Sequence, residues 1–287
     1  MTMRVGFIGV GAMGGPMARH VAQGGFLQAV WNRTEEKSLA LARDLNVTCA
    51  PSPAALASQV DVVLLCVSAD RDVLEVIHSL LPEIRQSSIV IDFSTVSSVT
   101  ARQAAELLRA RGAEFLDSPV TGGVEGAHNG TLVMMVGGQL SVLEKVLPIL
   151  QTMSRRIVYM GDVGAGQATK AVNQVMAAGI NQAVTEALAF GEKLGLDMQK
   201  AIDVISGGAA GNWFLEKRGS TMLEGIFSPG FKVALHHKDL KICREMAKHL
   251  GMALPLVEMT VEDYEKLIAG GFGNEDISAL YRIKKDP

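Results

Sequence analysis

Arg4-Val5-Gly6-Phe7-Ile8-Gly9-Val10-Gly11-Ala12-Met13-Gly14 decides the fold of this chain. Residues 4 to 9 form a short apolar strand, and Pro16 to Ala22 read as the helix that follows. Gly-x-Gly-x-x-Gly between a strand and a helix is a turn built for a dinucleotide. Gly9 permits the tight turn, Gly11 lets a pyrophosphate reach the backbone, and Gly14 lets helix and strand pack closely. The phosphates would face the positive helix N-terminus and its unpaired N–H groups. The whole turn, Gly9, Val10, Gly11, Ala12, Met13 and Gly14, is therefore a candidate cofactor site.

Working outward, the next strand, Leu27 to Trp31, ends in Asn32-Arg33-Thr34. A site selecting an unphosphorylated ribose would place Asp or Glu here. This chain has an amide, a guanidinium and a hydroxyl. Arg33 suits a ribose 2′-phosphate and can lie flat on adenine, so NADP is expected over NAD. Thr34 also reads as an N-cap before Glu35-Glu36-Lys37, and the two readings are compatible. Further α/β units follow. Val60 to Val67 is a continuous apolar strand of the kind buried in parallel sheets, leading through Ser68 to a helix from Asp72 to Leu81. Ser88 to Asp92 is the next strand. Thr95 lies just beyond it, where ligands of open α/β sheets bind, although an N-cap before a helix from Thr100 reads equally well.

Strand Glu114 to Leu116 then meets Asp117-Ser118-Pro119-Val120-Thr121-Gly122-Gly123. The N–H groups of Thr121, Gly122 and Gly123 can converge on an anion beside a hydroxyl, and a substrate carboxylate would suit them. Leu132 to Val136 and Ile157 to Met160 complete the sheet around a helix from Ser141 to Gln151.

Gly161-Asp162-Val163-Gly164-Ala165-Gly166 precedes a long helix expected to start near Ala165. Its apolar residues cover more than one face, which predicts burial nearly all round, between two lobes. Lys170, Asn173 and Gln174 share one face of its first turns. The positive end of the helix dipole disfavours a cation there. Lys170 reads as a snorkelling surface lysine or as a catalytic ammonium; the two amides and the glycine-rich approach favour the second. Beyond it the chain is helical in pattern: Asp197 to Ser206, Asn212 to Glu224, Leu240 to Leu250, Leu254 to Ala269 and a piece near Ile277. Ser228 to Lys232 and His236-His237-Lys238-Asp239 are expected as loop or cap segments, with Asp239 capping the following helix and Lys238 a cation within reach of phosphate. Adjacent His236 and His237 diverge and have no partner spacing, so no metal site is expected.

The chain has 287 residues, 48% hydrophobic and 20% charged, with a formal net charge of -3. That length allows one large domain or two ordinary ones, and that balance gives no reason to expect a nucleic-acid or anionic-membrane partner. No apolar run reaches the ~20 residues that cross a bilayer. Cys49, Cys66 and Cys243 fall in no pairing pattern, and no signal segment is apparent, so a cytoplasmic location is expected.

Four motifs carry a resemblance to the β-hydroxyacid dehydrogenase family. They are Gly9 to Gly14 with Pro16-Met17-Ala18; Asp117 to Gly123; Gly164-Ala165-Gly166-Gln167-Ala168-Thr169-Lys170 with Asn173; and Lys238-Asp239-Leu240. The chain is similar to its glyoxylate and succinic semialdehyde reductases, tartronate semialdehyde reductases and 3-hydroxyisobutyrate dehydrogenases. The resemblance implies an α/β N-terminal Rossmann-like domain with a mostly parallel sheet (1–163) and an all-α C-terminal domain (195–287). A long interdomain helix (164–194) would join them. It implies Lys170 as catalytic acid/base, Asn173 and Gln174 orienting the substrate or the lysine, and Thr121, Gly122 and Gly123 on the substrate carboxylate. Phe231 and Asp239 would close the site, and Val67, Ser68, Thr95 and Lys238 would join the glycine turn and Asn32-Arg33-Thr34 on NADPH. Thr121 keeps the hydroxyl of the family's frequent Ser and adds a methyl; Gln174 stands where a second Asn is frequent. The expected reaction is reduction of a small carboxylate-bearing aldehyde to the hydroxyacid, by a homodimer or homotetramer. The alternatives are a 3-hydroxyisobutyrate-type or tartronate semialdehyde-type dehydrogenase, an imine reductase on the same architecture, and a non-catalytic NADP-binding sensor. The retained Lys170 argues against the last two.

Overall fold

A computed structural model describes residues 3–285. The chain divides into two compact units, Met1–Lys170 and Ala171–Pro287.

The first unit is built on a nine-stranded sheet of order β3-β2-β1-β4-β5-β6-β8-β7, with β9 on β8. The strands are β1 (Val5–Ile8), β2 (Leu27–Trp31), β3 (Thr48–Cys49), β4 (Val62–Leu65), β5 (Ile89–Asp92), β6 (Glu114–Asp117), β7 (Val120–Thr121), β8 (Leu132–Gly138) and β9 (Ser154–Gly161). From β3 to β6 every pairing is parallel; β8 runs antiparallel to β6 and β7 and parallel to β9. The 3-2-1-4-5-6 order is that of a dinucleotide-binding fold, with its crevice at the carboxyl ends of the strands.

The central strands β1, β4 and β5 are buried along their whole length because both faces of the sheet are covered there. Val5, Phe7, Val62, Leu64, Ile89 and Ile91 point into one core, with Met17 and Val21 of α1 (Gly14–Gln23) and Val142 and Val146 of α7 (Leu140–Leu150). The alternate positions, Ile8, Val63, Leu65 and Val90, point into the other. There they meet Leu56 of α3 (Pro53–Ala57), Ile77 and Leu80 of α4 (Asp70–Leu80), and Ala104 and Leu108 of α5 (Ser98–Arg109). Two local starts differ from the sequence expectation. Helix α4 starts at Asp70, ahead of Asp72, and α5 starts at Ser98 because Ser97 Oγ accepts the Thr100 N–H, so Ser97 rather than Thr95 is the cap. Thr34 stands at the N-cap position of α2 (Glu35–Leu45) but makes no side-chain capping bond.

Helix α8 (Ala165–Lys193) starts where the glycine-rich approach ends. In the second unit it is followed by α9 (Met198–Ser206), α10 (Trp213–Leu223), α11 (Val233–His249), α12 (Pro255–Ala269) and α13 (Leu280–Lys285), around a core including Val184, Leu188, Leu240, Val261 and Tyr264. Two expectations fail here. The apolar surface of α8 is not buried all round: Val172, Met176 and Phe190 are 62%, 63% and 64% exposed, because no element among the described residues covers this strip of the helix. His236 to Asp239 is not a loop, and Asp239 is not a cap. Helix α11 begins at Val233, so Asp239 lies in its interior, where buried polar partners make up for the poor apolar pattern.

Candidate active site

The glycine turn is shaped by contacts that side chains would block. Gly9 has φ 89°, and a Cβ there would stand 2.1 Å from the Cys66 carbonyl oxygen; one on Gly14 would stand 1.9 Å from the Gly9 oxygen. A Cβ on Gly11 would meet nothing within 4 Å, so that glycine serves no packing need within the chain. Gly11 and Ala12 are exposed and Met13 is half-buried at the start of α1. The turn is braced from β2: the Val10 N–H donates to Asn32 Oδ1 at 3.1 Å, and Asn32 Nδ2 donates to the Thr34 carbonyl at 2.9 Å. A rigid turn with an open glycine at a helix start fits a dinucleotide pyrophosphate. Arg33 is exposed and pairs with Asp72. Across the same sheet edge, the Val67 N–H donates to Ser94 Oγ at 2.9 Å; Ser68 is exposed and Thr95 half-buried.

Thr121 ends β7, half-buried, and exposed Gly122 and Gly123 lead into α6 (Gly123–Asn129) with φ of 124° and 63°. Four residues upstream, Asp117 ends β6, fully buried. Its Oδ1 accepts the Gly164 N–H at 2.7 Å and its Oδ2 the Gln167 N–H at 2.8 Å. Burial pushes the Asp117 carboxyl up from its ordinary value, and the two N–H donations pull against it. Gln167 is a second fastening. Its Oε1 accepts the Val96 N–H at 3.1 Å and its Nε2 donates to the Ser94 carbonyl at 2.8 Å. The head of α8 is thus tied to the ends of β5 and β6, and Lys170, three residues further on, is buried at 8% exposure. The snorkelling reading would leave this lysine far more exposed. Neither Asp117 nor Gln167 was singled out from sequence, although both lie in motifs, because the groups they fasten lie 47 to 73 positions away.

In the second unit, four predicted residues come together. Asn173 Nδ2 donates to Gln174 Oε1 at 2.8 Å, Gln174 Nε2 donates to Asp239 Oδ2 at 2.6 Å, and Lys238 Nζ lies 2.9 Å from Asp239 Oδ1. The acid therefore holds the Gln174 amide and the Lys238 ammonium together. The Phe231 ring packs 5.2 Å from that of His236. His236, wholly buried, was missed as a structural residue. A carbonyl only accepts, so its Nε2–H donates to the Gln174 oxygen at 3.3 Å, leaving Nδ1 to accept the Tyr264 hydroxyl at 3.0 Å. Asn181 Nδ2 donates in turn to Tyr264 Oη at 2.9 Å. Burial pushes the Tyr264 hydroxyl far up from its ordinary value, so it stays protonated. Among the described residues no group of His, Cys, Asp or Glu could hold a metal ion.

Residues 4–161 match the family model described as the NAD binding domain of 6-phosphogluconate dehydrogenase. Residues 164–284 match that described as NAD-binding of NADP-dependent 3-hydroxyisobutyrate dehydrogenase. An uncharacterized oxidoreductase of Shewanella frigidimarina is 37% identical, with 98% of each chain covered. The 2-hydroxy-3-oxopropionate reductase of Escherichia coli is 33% identical over 97% of this chain and 96% of its own. Among solved structures, Mycobacterium tuberculosis 3-hydroxyisobutyrate dehydrogenase with L-serine superposes with TM-score 0.90, at 31% identity and 99% coverage of both chains. With this similarity running the length of a chain that has a dinucleotide-binding sheet and a buried lysine at the head of its long helix, the protein belongs to the β-hydroxyacid dehydrogenase family and is an NAD(P)-dependent oxidoreductase.

Proposed function

We propose that this enzyme is an NADPH-dependent reductase of small aldehydes bearing a carboxylate, such as glyoxylate or succinic semialdehyde, forming the hydroxyacid. The observation that carries the reading is Lys170, a buried lysine on a helix head fastened by Asp117 and Gln167. When bound, the dinucleotide supplies the hydride that adds to the carbonyl carbon. Lys170 gives a proton to the oxygen as charge develops on it, a general-acid role worth ~10²–10⁴-fold in rate. Thr121, Gly122 and Gly123 receive the substrate carboxylate through N–H groups and a hydroxyl. Asn173 and Gln174 orient the reacting oxygen, their amides aligned by Asp239. The glycine turn, Asn32, Val67, Ser68, Thr95 and Lys238 hold the cofactor, and Phe231 completes the substrate side. Arg33 selects the 2′-phosphate, in keeping with the absence of an acid among residues 32–34.

NADPH consumption measured against glyoxylate, succinic semialdehyde, tartronate semialdehyde and methylmalonate semialdehyde, with NADH in parallel, tests both halves of this reading. Turnover with NADPH on a carboxylate-bearing aldehyde supports it; tight NADPH binding without turnover on any of them refutes the substrate class. Lys170→Ala should lower kcat by about 10²–10⁴-fold and leave NADPH affinity within about twofold, since the general-acid role acts on the chemical step. A second reading, oxidation of a 3-hydroxyisobutyrate-type or reduction of a tartronate-type substrate, is favoured by the names of the Mycobacterium tuberculosis and Escherichia coli relatives; the same panel run with the alcohols separates the directions. The exposed apolar strip of α8 is consistent with a homodimer or homotetramer, measurable by light scattering. No described helix is long and apolar enough to cross a membrane. We place the protein in the cytoplasm on its three widely spaced cysteines.

A further inference from the structure

Arg33 follows the carboxyl end of β2, and Asp72 stands in the first turn of α4, beyond the carboxyl end of β4. Strands β2 and β4 flank β1, so a contact between these residues spans the sheet edge at the glycine turn. That contact is made: Arg33 Nη1 donates to Asp72 Oδ1 at 3.0 Å, with the guanidinium side chain 74% exposed and the carboxylate 19%. The helix dipole favours an acid early in α4. It does not explain an acid that reaches 39 positions back along the chain to an arginine. The neighbouring charges are engaged elsewhere. Asp70 accepts from the Ser97 N–H and the Thr100 hydroxyl, and Arg71 pairs with Glu75 at 2.9 Å.

We infer that Asp72 is a cofactor-selectivity residue, which occupies the Arg33 guanidinium and so weakens the preference for a 2′-phosphorylated dinucleotide. The inference rests on the reading of Arg33 as the 2′-phosphate residue. A guanidinium grips a phosphate best through two parallel N–H donors, and Asp72 holds one of the two terminal nitrogens. A 2′-phosphate gripped end-on through both terminal nitrogens must share Nη1 with the carboxylate or displace it; one gripped through Nε and Nη2 still meets a guanidinium whose charge Asp72 partly offsets. The neutral 2′-hydroxyl of NADH meets no such competition. The enzyme therefore discriminates between the two cofactors less than Arg33 alone would allow.

Fluorescence titration of the full chain with NADPH and NADH tests this in the parent, Asp72→Asn, Asp72→Glu, Arg33→Ala and the Arg33→Ala/Asp72→Asn double variant. Asp72→Asn should tighten NADPH about fivefold, equivalent to ~1 kcal/mol and the upper range for an exposed ion pair, and leave NADH within about twofold. Asp72→Glu, which keeps the charge, should retain the parental NADPH/NADH ratio, and Asp72→Asn should have no effect once Arg33 is gone. Unchanged or weaker NADPH binding by Asp72→Asn at a parental melting temperature overturns the inference. So does a tightening that persists in the double variant, which would mark direct repulsion. If Arg33→Ala leaves the NADPH/NADH ratio unchanged, the reading of Arg33 fails and the inference falls with it. A loss of NADPH affinity in Arg33→Ala alone, with Asp72→Asn silent, overturns only the role of Asp72.

Discussion

Asp117→Ala should loosen the head of the lysine helix, and the structure sets the size of the effect. The substitution strands two backbone donors, the N–H groups of Gly164 and Gln167, which the carboxylate now accepts at 2.7 and 2.8 Å. Each buried unsatisfied donor costs about 1–3 kcal/mol, which bounds the loss at ~2–6 kcal/mol. Removing a negative charge from a helix start adds up to ~1 kcal/mol in the same direction. Opposing both is relief of the burial that raises this carboxyl's pKa; because two hydrogen bonds outweigh one partly compensated desolvation, a net loss of about 2–4 kcal/mol is expected. For a unit of this size that corresponds to a fall of about 5–15 °C in melting temperature. Asp117→Asn keeps one acceptor and should lose about half as much. Lys170 lies three residues past Gln167, so a shift of about 1 Å at the helix head should lower kcat roughly 10²-fold with a smaller change in KM. Circular-dichroism melts and urea titrations read the first arm, and steady-state kinetics the second. A stability within about 1 kcal/mol of the parent, together with an unchanged kcat, would refute the fastening described here.

The glycine turn yields a paired prediction. Gly11→Ala should fold with parental stability, since its Cβ would meet nothing within 4 Å, but should lose cofactor affinity; Gly14→Ala, with its Cβ 1.9 Å from the Gly9 oxygen, should lose stability first. Thermal melts with and without cofactor distinguish them. At acid pH, Asp61 matters: bonds from the Arg4 side chain hold its carboxyl at about 2, below its ordinary 3.8. Its contribution is complete above the unfolded value and is lost as pH falls from 3.8 toward 2, so Asp61→Asn should flatten the pH dependence of stability in that window. In the second unit, Tyr264→Phe removes the hydroxyl shared by His236 and Asn181 and should cost about 1–3 kcal/mol in urea unfolding; a neutral result would show that the buried network is slack.

What the sequence by itself determined is the part of the fold written in short-range rules. The glycine turn needs a positive φ at Gly9 and close packing at Gly14, and both are legible in a strand-turn-helix string. The central strands β1, β4 and β5 announce themselves as mostly apolar runs because each alternate side chain has a core to enter. The start of α8 was equally plain, set by the glycines before it. Tertiary structure decided what depends on partners far along the chain. The acceptor for the Gly164 and Gln167 N–H groups lies 47 and 50 positions away, so no local pattern marks Asp117 as the fastening of the lysine helix. The stretch from His236 to Asp239 is polar enough to pass for a loop. It is helix because Gln174 and Tyr264 satisfy its buried groups from other helices. Arg33 likewise shows its charge in the sequence but not its carboxylate neighbour, since only the sheet order brings Asp72 beside it. Local propensity and periodicity act over a few residues, whereas burial and pairing of polar groups are settled where distant segments meet.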